Sequence, residues 1–411
     1  MKVVSKEVFV PSPGPGVGVA GGAYYTRAAG DELVSVHSYH SRSDTADIAL
    51  YRRSADGGAT WGPVTEVATG EQRAGGMWRR YPRAGHVDPP TDRYVTVRVE
   101  GVLPTDEPLE GMRQWALHYA VSEDGGRTDV VDEPVVHDGS DEDGVPFDAD
   151  HPLPGVWRGR NGVMLGDLTC LPLTLRGGRD AGDILVPCQI CPVGPDGTFL
   201  NKGGGFTFHD SAVLHGRWVD GGPRLRWRLS ERVIGDPERS TRGFLEATIA
   251  ELSPGRVLMV MRGSNDVRPE LPGYRWYAVS EDCGWTFGEV RPWADTAGAP
   301  LQSPSSCSQL LDHSDGRLYW LGNLCDGNPR GNSPRYPIVI AEVERDTGLV
   351  VRDTVTTIDD RQPGELERLT LSNFYAREER GSGDILLYLP RYYARENNFT
   401  ADNTVYRIAG E

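Results

Sequence analysis

The chain has little positive charge, little cysteine and no long apolar segment. Its 43 lysines and arginines are outnumbered by 59 aspartates and glutamates, which gives a formal net charge of −16. Proteins that bind nucleic acid or anionic membranes rely on basic surfaces, so we expect neither partner. No apolar run reaches the roughly 18 residues that predict a membrane-spanning helix. The start, Met1 to Lys6, lacks the apolar run of a signal peptide, so we expect a cytoplasmic protein, or a secreted one if a leader was removed.

The six cysteines do not form a metal-binding pattern. Cys188 and Cys191 have CxxC spacing, but no second CxxC and no suitably spaced histidine pair follows. We therefore expect buried free thiols, no cofactor and no metal in the site. The acidic segment from Asp138 to Asp150 leaves a calcium ion as an open alternative.

The sequence is rich in the residues that make turns. It contains 51 glycines and 30 prolines, and long stretches with helical periodicity are missing. Alternating segments such as Arg93 to Val99 and Gly255 to Arg262 indicate short strands entered by tight turns. This composition favours an all-β fold.

One short pattern occurs three times, beginning at Ser54, Ser122 and Ser280. Each copy reads Ser-x-Asp-x-Gly-x-Thr followed by an aromatic residue, which only the second copy lacks. The aspartate accepts hydrogen bonds from backbone amides ahead of it, and glycine adopts positive φ without a Cβ clash. The threonine and the aromatic residue then begin a strand. The pattern resembles the Asp-box of sialidases and related β-propellers.

The resemblance implies repeated blades along the whole chain. Together with the three copies, degenerate turns mark six quasi-repeats; these turns lie at Pro195–Phe199, Arg345–Gly348 and Ala401–Asn403. We predict one domain over residues 1–411, an all-β, six-bladed β-propeller with four-stranded antiparallel blades and Asp-box turns. The terminal strand near Val405 is expected to pair with Glu7 to Val10 and close the ring.

The first unit carries a polar loop in which sialidases have their acid/base aspartate. The resemblance aligns that position with His40, two residues before Arg42. A histidine can transfer protons near neutral pH, and Asp44 and Asp47 of the same loop are alternatives. Arg42 and Asp44 are assigned to substrate binding, although an ordinary ion pair between them explains them equally well.

The fourth unit contains the most sialidase-like segment. Glu246 opens a predicted inner strand and Arg262 ends the next one, so strand–turn–strand geometry brings the two side chains together. By resemblance, Glu246 activates a nucleophile or acts as acid/base, and Arg262 binds a substrate carboxylate; the alternative is a structural ion pair. In the third unit, Asp167 is a lone acid in an apolar strand, either bonded structurally or carrying a shifted pKa. Exo-arabinanase-type propellers resemble this arrangement of acids in the third and fourth units.

The last two units supply two further candidates. By resemblance to sialidases, Arg335 is a carboxylate-binding arginine, with Arg330 in reserve, and Tyr375 is the nucleophile. Tyr375 is otherwise a packed or sugar-stacking aromatic residue. The segment from Gly21 to Arg27 lacks the Arg-Ile-Pro motif that sialidases carry in the first unit.

The resemblance implies a carbohydrate-active enzyme whose partner is an oligosaccharide or glycoconjugate. The leading hypothesis is an exo-acting glycoside hydrolase that cleaves a terminal, possibly anionic sugar. One alternative is a polysaccharide lyase in which His40 or Tyr375 abstracts a proton from a uronate. A second alternative is a non-catalytic glycan- or protein-binding propeller. The sugar, its linkage, the stereochemical outcome and the oligomeric state stay open.

Overall fold

The computed structural model of the chain describes residues 1–410 and consists of six antiparallel sheets arranged as the blades of a β-propeller. The predicted fold class is therefore confirmed. The strands of each blade are given from the axis outward. Blade 1 contains Gly18–Tyr25, Leu33–His40, Ile48–Ser54 and Thr65–Ala68, and blade 2 contains His86–Asp88, Arg93–Leu103, Ala116–Ser122 and Val131–Pro134. Blade 3 contains Val163–Met164 with Leu173–Thr174, then Ile184–Ile190, Asp210–Trp218 and Leu225–Leu229; blade 4 contains Leu245–Ser253, Arg256–Arg262, Arg275–Ser280 and Arg291–Pro292. Blade 5 contains Gln309–Asp312, Leu318–Asn323, Ile338–Val343 and Thr356–Asp359, and blade 6 contains Tyr375–Glu378, Ile385–Pro390, Asn403–Ala409 and Lys2–Val10.

Blade 2 carries an additional hairpin. Its strands, Gly70–Arg73 and Gly76–Arg80, extend the sheet by pairing with the end of Arg93–Leu103. The helical segments are short: Pro108–Glu110 and Arg352–Thr354 form 3-10 turns, and Gly111–Gln114 forms one α-helical turn. Within residues 1–410, no helix has the length and apolarity needed to cross a membrane.

The two ends of the chain meet in blade 6. The N-terminal strand pairs antiparallel with the last strand, with Lys2 opposite Ala409 and Val8 opposite Thr404. This confirms the predicted ring closure, which removes the free sheet edges that an open six-sheet array would expose.

The three Ser-x-Asp-x-Gly-x-Thr turns adopt one geometry, between the third and fourth strands of blades 1, 2 and 4. In the first copy, Ser54 Oγ donates to Asp56 Oδ1 at 2.7 Å, and the Thr60 amide donates to the same oxygen at 2.8 Å. The other two copies repeat these bonds within 0.1 Å. The serine and aspartate therefore act on the turn itself, and the recurring motif marks equivalent corners.

The degenerate turns were only partly correct as repeat markers. The turn at Arg345–Gly348 lies between the third and fourth strands of blade 5, the same position as the three Ser-x-Asp turns. Pro195–Phe199 instead joins the second and third strands of blade 3, and Ala401–Asn403 precedes the third strand of blade 6. Aspartate and glycine suit tight turns at either end of a hairpin, so their chemistry alone does not fix the position in the blade.

The core lies between adjacent blades, whose faces are covered with apolar side chains. Fully buried tryptophans lie in two of these interfaces: Trp227 between blades 2 and 3, and Trp293 with Trp320 between blades 4 and 5. This packing fixes the orientation of each blade about the axis. The inner strands then place polar side chains at one end of the central channel. Blade 4 departs from the others because its outer strand, Arg291–Pro292, has only two residues.

Candidate active site

Glu246 and Arg262 form the centre of the candidate site. Glu246 is the second residue of the inner strand of blade 4, and Arg262 ends the next strand. Arg262 Nη1 donates to Glu246 Oε1 at 2.5 Å, and Arg262 Nε donates to Ser305 Oγ at 2.7 Å. The predicted proximity of the two side chains is confirmed, while their roles in binding and catalysis stay predictions.

The backbone of Glu246 has a left-handed conformation, with φ of 46°. A non-glycine residue in this region is held at a cost of about 1 to 3 kcal/mol, and such residues concentrate at functional sites. The Glu246 amide donates to Gln189 Oε1 at 2.8 Å, which fixes the strained peptide. Glu246 Oε2 is buried without a hydrogen-bond partner, so one oxygen of the carboxylate is free to accept a proton.

Asp167 lies beside Glu246, but in an irregular segment between Val163–Met164 and Leu173–Thr174 rather than in the predicted strand. The two segments touch: a Cβ added to Gly166 would lie 2.8 Å from the Glu246 Cα. Asp167 accepts hydrogen bonds from the Leu168 amide and from Asn373 Nδ2, both at 2.6 Å. The lone acid therefore belongs to the axial site, and Asn373 is left-handed like Glu246, with φ of 60°.

The two carboxyl groups have opposite pKa shifts. Burial, reinforced by the negative charge of Glu246, raises the pKa of Asp167 above its ordinary value. Burial also acts to raise the pKa of Glu246, but Arg262 outweighs it and leaves that pKa lowered. A carboxyl group with a raised pKa beside one with a lowered pKa is the arrangement that lets one act as the acid and the other as the base.

Two more arginines surround this pair. Arg335 donates to the Ser305 carbonyl at 2.7 and 3.2 Å, and Arg242 donates to Thr207 Oγ1 at 2.7 and 3.2 Å. Within residues 1–410, neither has a carboxylate within ion-pair distance. Burial and the charge of Arg262 lower the pKa of each guanidinium to about 10. We call Arg242, Arg262 and Arg335 the axial arginines; they carry three positive charges against one ionised carboxylate.

Arg83 connects blade 2 to the same site. It follows the additional hairpin and donates to the carbonyl oxygens of Gly166, Asp167 and Cys170, the last two at 2.7 and 3.3 Å. Because all its partners are backbone carbonyls of the Asp167 segment, its guanidinium fixes that segment and adds positive charge without neutralising any acid.

The loop after the second strand of blade 1 holds His40, Asp44 and Asp47, but its polar groups are mostly used within the loop. His40 Nδ1 lies 2.8 Å from the Thr45 carbonyl, and Nε2 lies 2.8 Å from Ser38 Oγ. Burial lowers the pKa of His40. Asp47 accepts a hydrogen bond from the Ser41 amide at 2.7 Å. The acid/base roles of His40 and Asp47 stay predictions, and both groups would have to break these bonds to act.

Asp44 and Arg42 do not pair with each other, which corrects the structural alternative. Arg42 instead lies 2.8 Å from Asp106, which Arg79 also binds through two hydrogen bonds of 2.7 Å. Asp44 is exposed, has φ of 54° and accepts a bond from the hydroxyl of its neighbour Ser43. Asp106 was a better partner for Arg42 because it is already fixed by Arg79.

Tyr375 begins the inner strand of blade 6, but its ring is packed among other tyrosines. It is 7% exposed and stacks on Tyr24 with ring centroids 3.9 Å apart. Burial raises its pKa, and among residues 1–410 no hydrogen bond reaches its hydroxyl. Blade 6 instead reaches Asp167 through Asn373, two residues earlier. The nucleophilic role of Tyr375 stays a prediction.

Four residues of the site were missed in the sequence: Gln189, Arg242, Asn373 and Arg83. Arg242 stands four residues before Glu246, and that short spacing was the one local signal available. Asn373 and Arg83 reach Asp167 across 206 and 84 positions of the chain, so no local pattern links them.

The cysteines and possible metal ligands add little to this site. Cys188 and Cys191 are buried free thiols, as expected from their spacing. Within residues 1–410, no group of three or more histidine, cysteine, aspartate or glutamate side chains is arranged to hold a metal ion.

Comparison with known proteins supports the architecture. The chain is 31% identical over 276 residues to a sialidase of Micromonospora viridifaciens; the match covers 64% of this chain and about a third, 33%, of that protein. It also superposes on the intramolecular trans-sialidase from Ruminococcus gnavus in complex with oseltamivir carboxylate, with a TM-score of 0.61 and 12% identity, over 95% of this chain and 94% of that one. The Hadza microbial sialidase Hz136 gives a TM-score of 0.58 at 16% identity, over 95% and 65% of the two chains.

A more distant structure has the same fold. The Penicillium chrysogenum alpha-L-arabinanase complexed with arabinobiose has a TM-score of 0.50 and 11% identity, with coverage of 99% of this chain and 98% of that one. No protein-family model matches the chain. The chain therefore has a six-bladed β-propeller fold that is similar to those of the sialidases and of the arabinanase.

Proposed function

We propose that the chain is an exo-acting glycoside hydrolase that removes a terminal sugar bearing a carboxylate from an oligosaccharide or glycoconjugate. The observation that carries the proposal is the excess positive charge of the axial arginines beside two carboxyl groups with opposite pKa shifts. Similarity to a sialidase over 64% of the chain supports the same reaction class.

The charge of the pocket supports an anionic sugar. Among the described residues 1–410, Arg262 is the one axial arginine that is paired with a carboxylate, at 2.5 Å. Holding unpaired charges in a recessed site is unfavourable unless a ligand supplies the opposite charge. A carboxylate can accept two parallel hydrogen bonds from one guanidinium, so a uronate or ulosonate ring matches the chemistry of Arg242 and Arg335.

The carboxyl groups support hydrolysis. In the proposed reaction the neutral carboxyl of Asp167 donates its proton to the glycosidic oxygen as the bond to the anomeric carbon breaks. Water attacks that carbon, and the ionised Glu246 accepts the released proton on its free Oε2. Arg262 orients Glu246 and keeps it ionised.

The test is the mass of the products formed from a panel of sialosides, arabinans and uronate-containing oligosaccharides. We expect two products whose masses sum to substrate plus water, and no products with Glu246→Gln. Glu71→Gln is the matched control, because this exposed glutamate lies outside the axial site. Products that sum to the substrate mass, with a new unsaturated chromophore, would instead establish a lyase. Binding without turnover would establish a binding propeller.

A further inference from the structure

A second cavity, of about 610 Å³, lies between blades 3 and 4, and none of the axial carboxyl groups or arginines lines it. We call it the interblade cleft. One wall consists of two cross-strand pairs of blade 3, His215 opposite Arg228 and Arg217 opposite Arg226. The other wall includes Trp285, from the third Ser-x-Asp turn. The cleft is open because the two-residue outer strand of blade 4 leaves this part of blade 3 uncovered.

Most charges of the cleft are already balanced. Arg217 donates to Asp183 at 2.7 Å and to Asp180 at 2.6 Å. Arg226 lies 3.4 Å from Asp138. A carboxylate ligand would therefore meet arginines that have partners and acids that repel it, so charge complementarity favours a neutral ligand.

Three ionisable side chains of the cleft have no side-chain partner within residues 1–410, namely His215, Arg228 and the exposed Glu231. His215 is 2% exposed, and neither of its ring nitrogens makes a hydrogen bond; the nearest carboxylate oxygen, on Asp183, is 4.0 Å from Nδ1. Burial lowers the pKa of His215 to about 4, so the ring is neutral at pH 7 and offers one donor and one acceptor. Arg228 is exposed and makes no ion pair.

Trp285 provides a fixed aromatic surface next to these groups. Its ring stacks on His215 with centroids 3.7 Å apart and an interplanar angle of 9°. Its Nε1 donates to Asp180 at 2.8 Å, which prevents the indole from rotating. The Arg228 guanidinium stands 5.6 Å from the ring centroid, farther than a stacked group, so it can move to admit a ligand.

We propose that the interblade cleft is a second, non-catalytic binding site for a neutral sugar ring. Sugar hydroxyls both donate and accept, which suits unpaired Arg228 and the carboxylates around it, while the CH groups of the ring pack on the face of Trp285 that His215 does not cover. The cavity volume falls within the range of small-ligand sites. The inference rests on the proposed function, which supplies the source of the sugar. The cleft would hold an uncleaved part of the glycan whose terminal residue is removed at the axial site, or part of a neighbouring glycan chain.

The indole N–H signal of Trp285 in a proton–nitrogen NMR spectrum is a local probe of this site. The spectrum of Trp285→Phe, or a nuclear Overhauser contact with His215, assigns the signal. We expect lactose or arabinobiose to move it in a saturable manner at millimolar concentration. In Arg228→Ala the apparent dissociation constant should rise about fivefold or more, since charged hydrogen bonds contribute about 1.5 to 3 kcal/mol.

The matched control is Arg335→Ala, which alters the axial site and should leave the Trp285 response unchanged. No response to either sugar, or the same response in Arg228→Ala, would overturn the inference. Both sugars lack a carboxylate, so the result of this experiment does not depend on whether the hydrolase proposal is correct. An intact Trp285 response without turnover of the panel would refute the hydrolase alone, and turnover without the response would refute the cleft alone.

Discussion

The axial site and the interblade cleft are both rich in arginine, but they differ in whether those arginines are paired with carboxylates. In the cleft, Arg217 shares two aspartates and Arg226 faces a third. On the axis, Arg242 and Arg335 donate only to a hydroxyl and a backbone carbonyl. Arginine content alone therefore does not identify an anion site; the deciding feature is whether the protein itself supplies the counter-charge.

We expect the largest effect on turnover when either carboxyl group of the axial site, Glu246 or Asp167, is replaced. Glu246→Gln and Asp167→Asn each keep the shape of the side chain but remove its charge or its proton. We expect turnover to fall about 100- to 10,000-fold for each, as measured by steady-state kinetics on the substrate that the panel identifies. Glu71→Gln, an exposed acid outside both sites, is the control, with turnover within about twofold of the wild type. Equal losses in all three variants would indicate a general effect on folding.

The next effect is on recognition of the anion. Arg335→Gln removes one unpaired axial charge, and we expect kcat/KM to fall about 10- to 100-fold for the carboxylate substrate. The loss should be much smaller for the methyl ester of the same substrate, because the ester offers no charge to the arginines. A similar loss for acid and ester would mean that Arg335 maintains the structure rather than binds the substrate.

The pH dependence sharpens the assignment of Asp167. Asn373 donates to the Asp167 carboxylate and so stabilises its charged form. Asn373→Ala should therefore raise the pKa of Asp167 further, and an acid that must be protonated would then work up to a higher pH. We expect the basic limb of the profile of kcat/KM against pH to move upward while the acidic limb stays. An unchanged basic limb would exclude Asp167 as the proton donor.

The smallest expected effect is on stability, and it has opposite signs in the two regions. Arg242→Met removes a buried charge without a carboxylate partner, so the free energy of unfolding should rise by about 1 kcal/mol while activity falls. Arg217→Met breaks two ion pairs and leaves the buried Asp183 carboxylate without a donor, so the free energy of unfolding should fall by about 1 to 3 kcal/mol. Urea denaturation of both variants measures this. A destabilised Arg242→Met would contradict the unpaired-charge account.

The fold was predictable because its signals are local and repeated. Each Ser-x-Asp-x-Gly-x-Thr turn is stabilised by bonds within a few residues, so three copies indicated the blade architecture before any long-range contact was known. The proximity of Glu246 and Arg262 was predictable for the same reason, since one hairpin joins them.

The rest of the site depends on contacts between blades, which sequence spacing does not encode. The alternative of an Arg42–Asp44 ion pair was wrong, because Arg42 binds Asp106, 64 positions away, in the turn after the strand Arg93–Leu103 of blade 2. Asn373 reaches Asp167 from blade 6, and the Asp167 segment is irregular because its bonds go to side chains of other blades rather than to a neighbouring strand. Such contacts arise only after the ring has closed.

Binding of free acids and of their methyl esters to the Glu246→Gln variant, measured by titration calorimetry, tests the central claim most directly. The ligands are N-acetylneuraminic, glucuronic and galacturonic acids, each with its ester. The account predicts that at least one acid binds about tenfold or more tightly than its ester, and that Arg335→Gln in the same background removes the difference. Equal affinity for every acid and ester, or no binding of any acid, would contradict the claim that the axial arginines bind a sugar carboxylate.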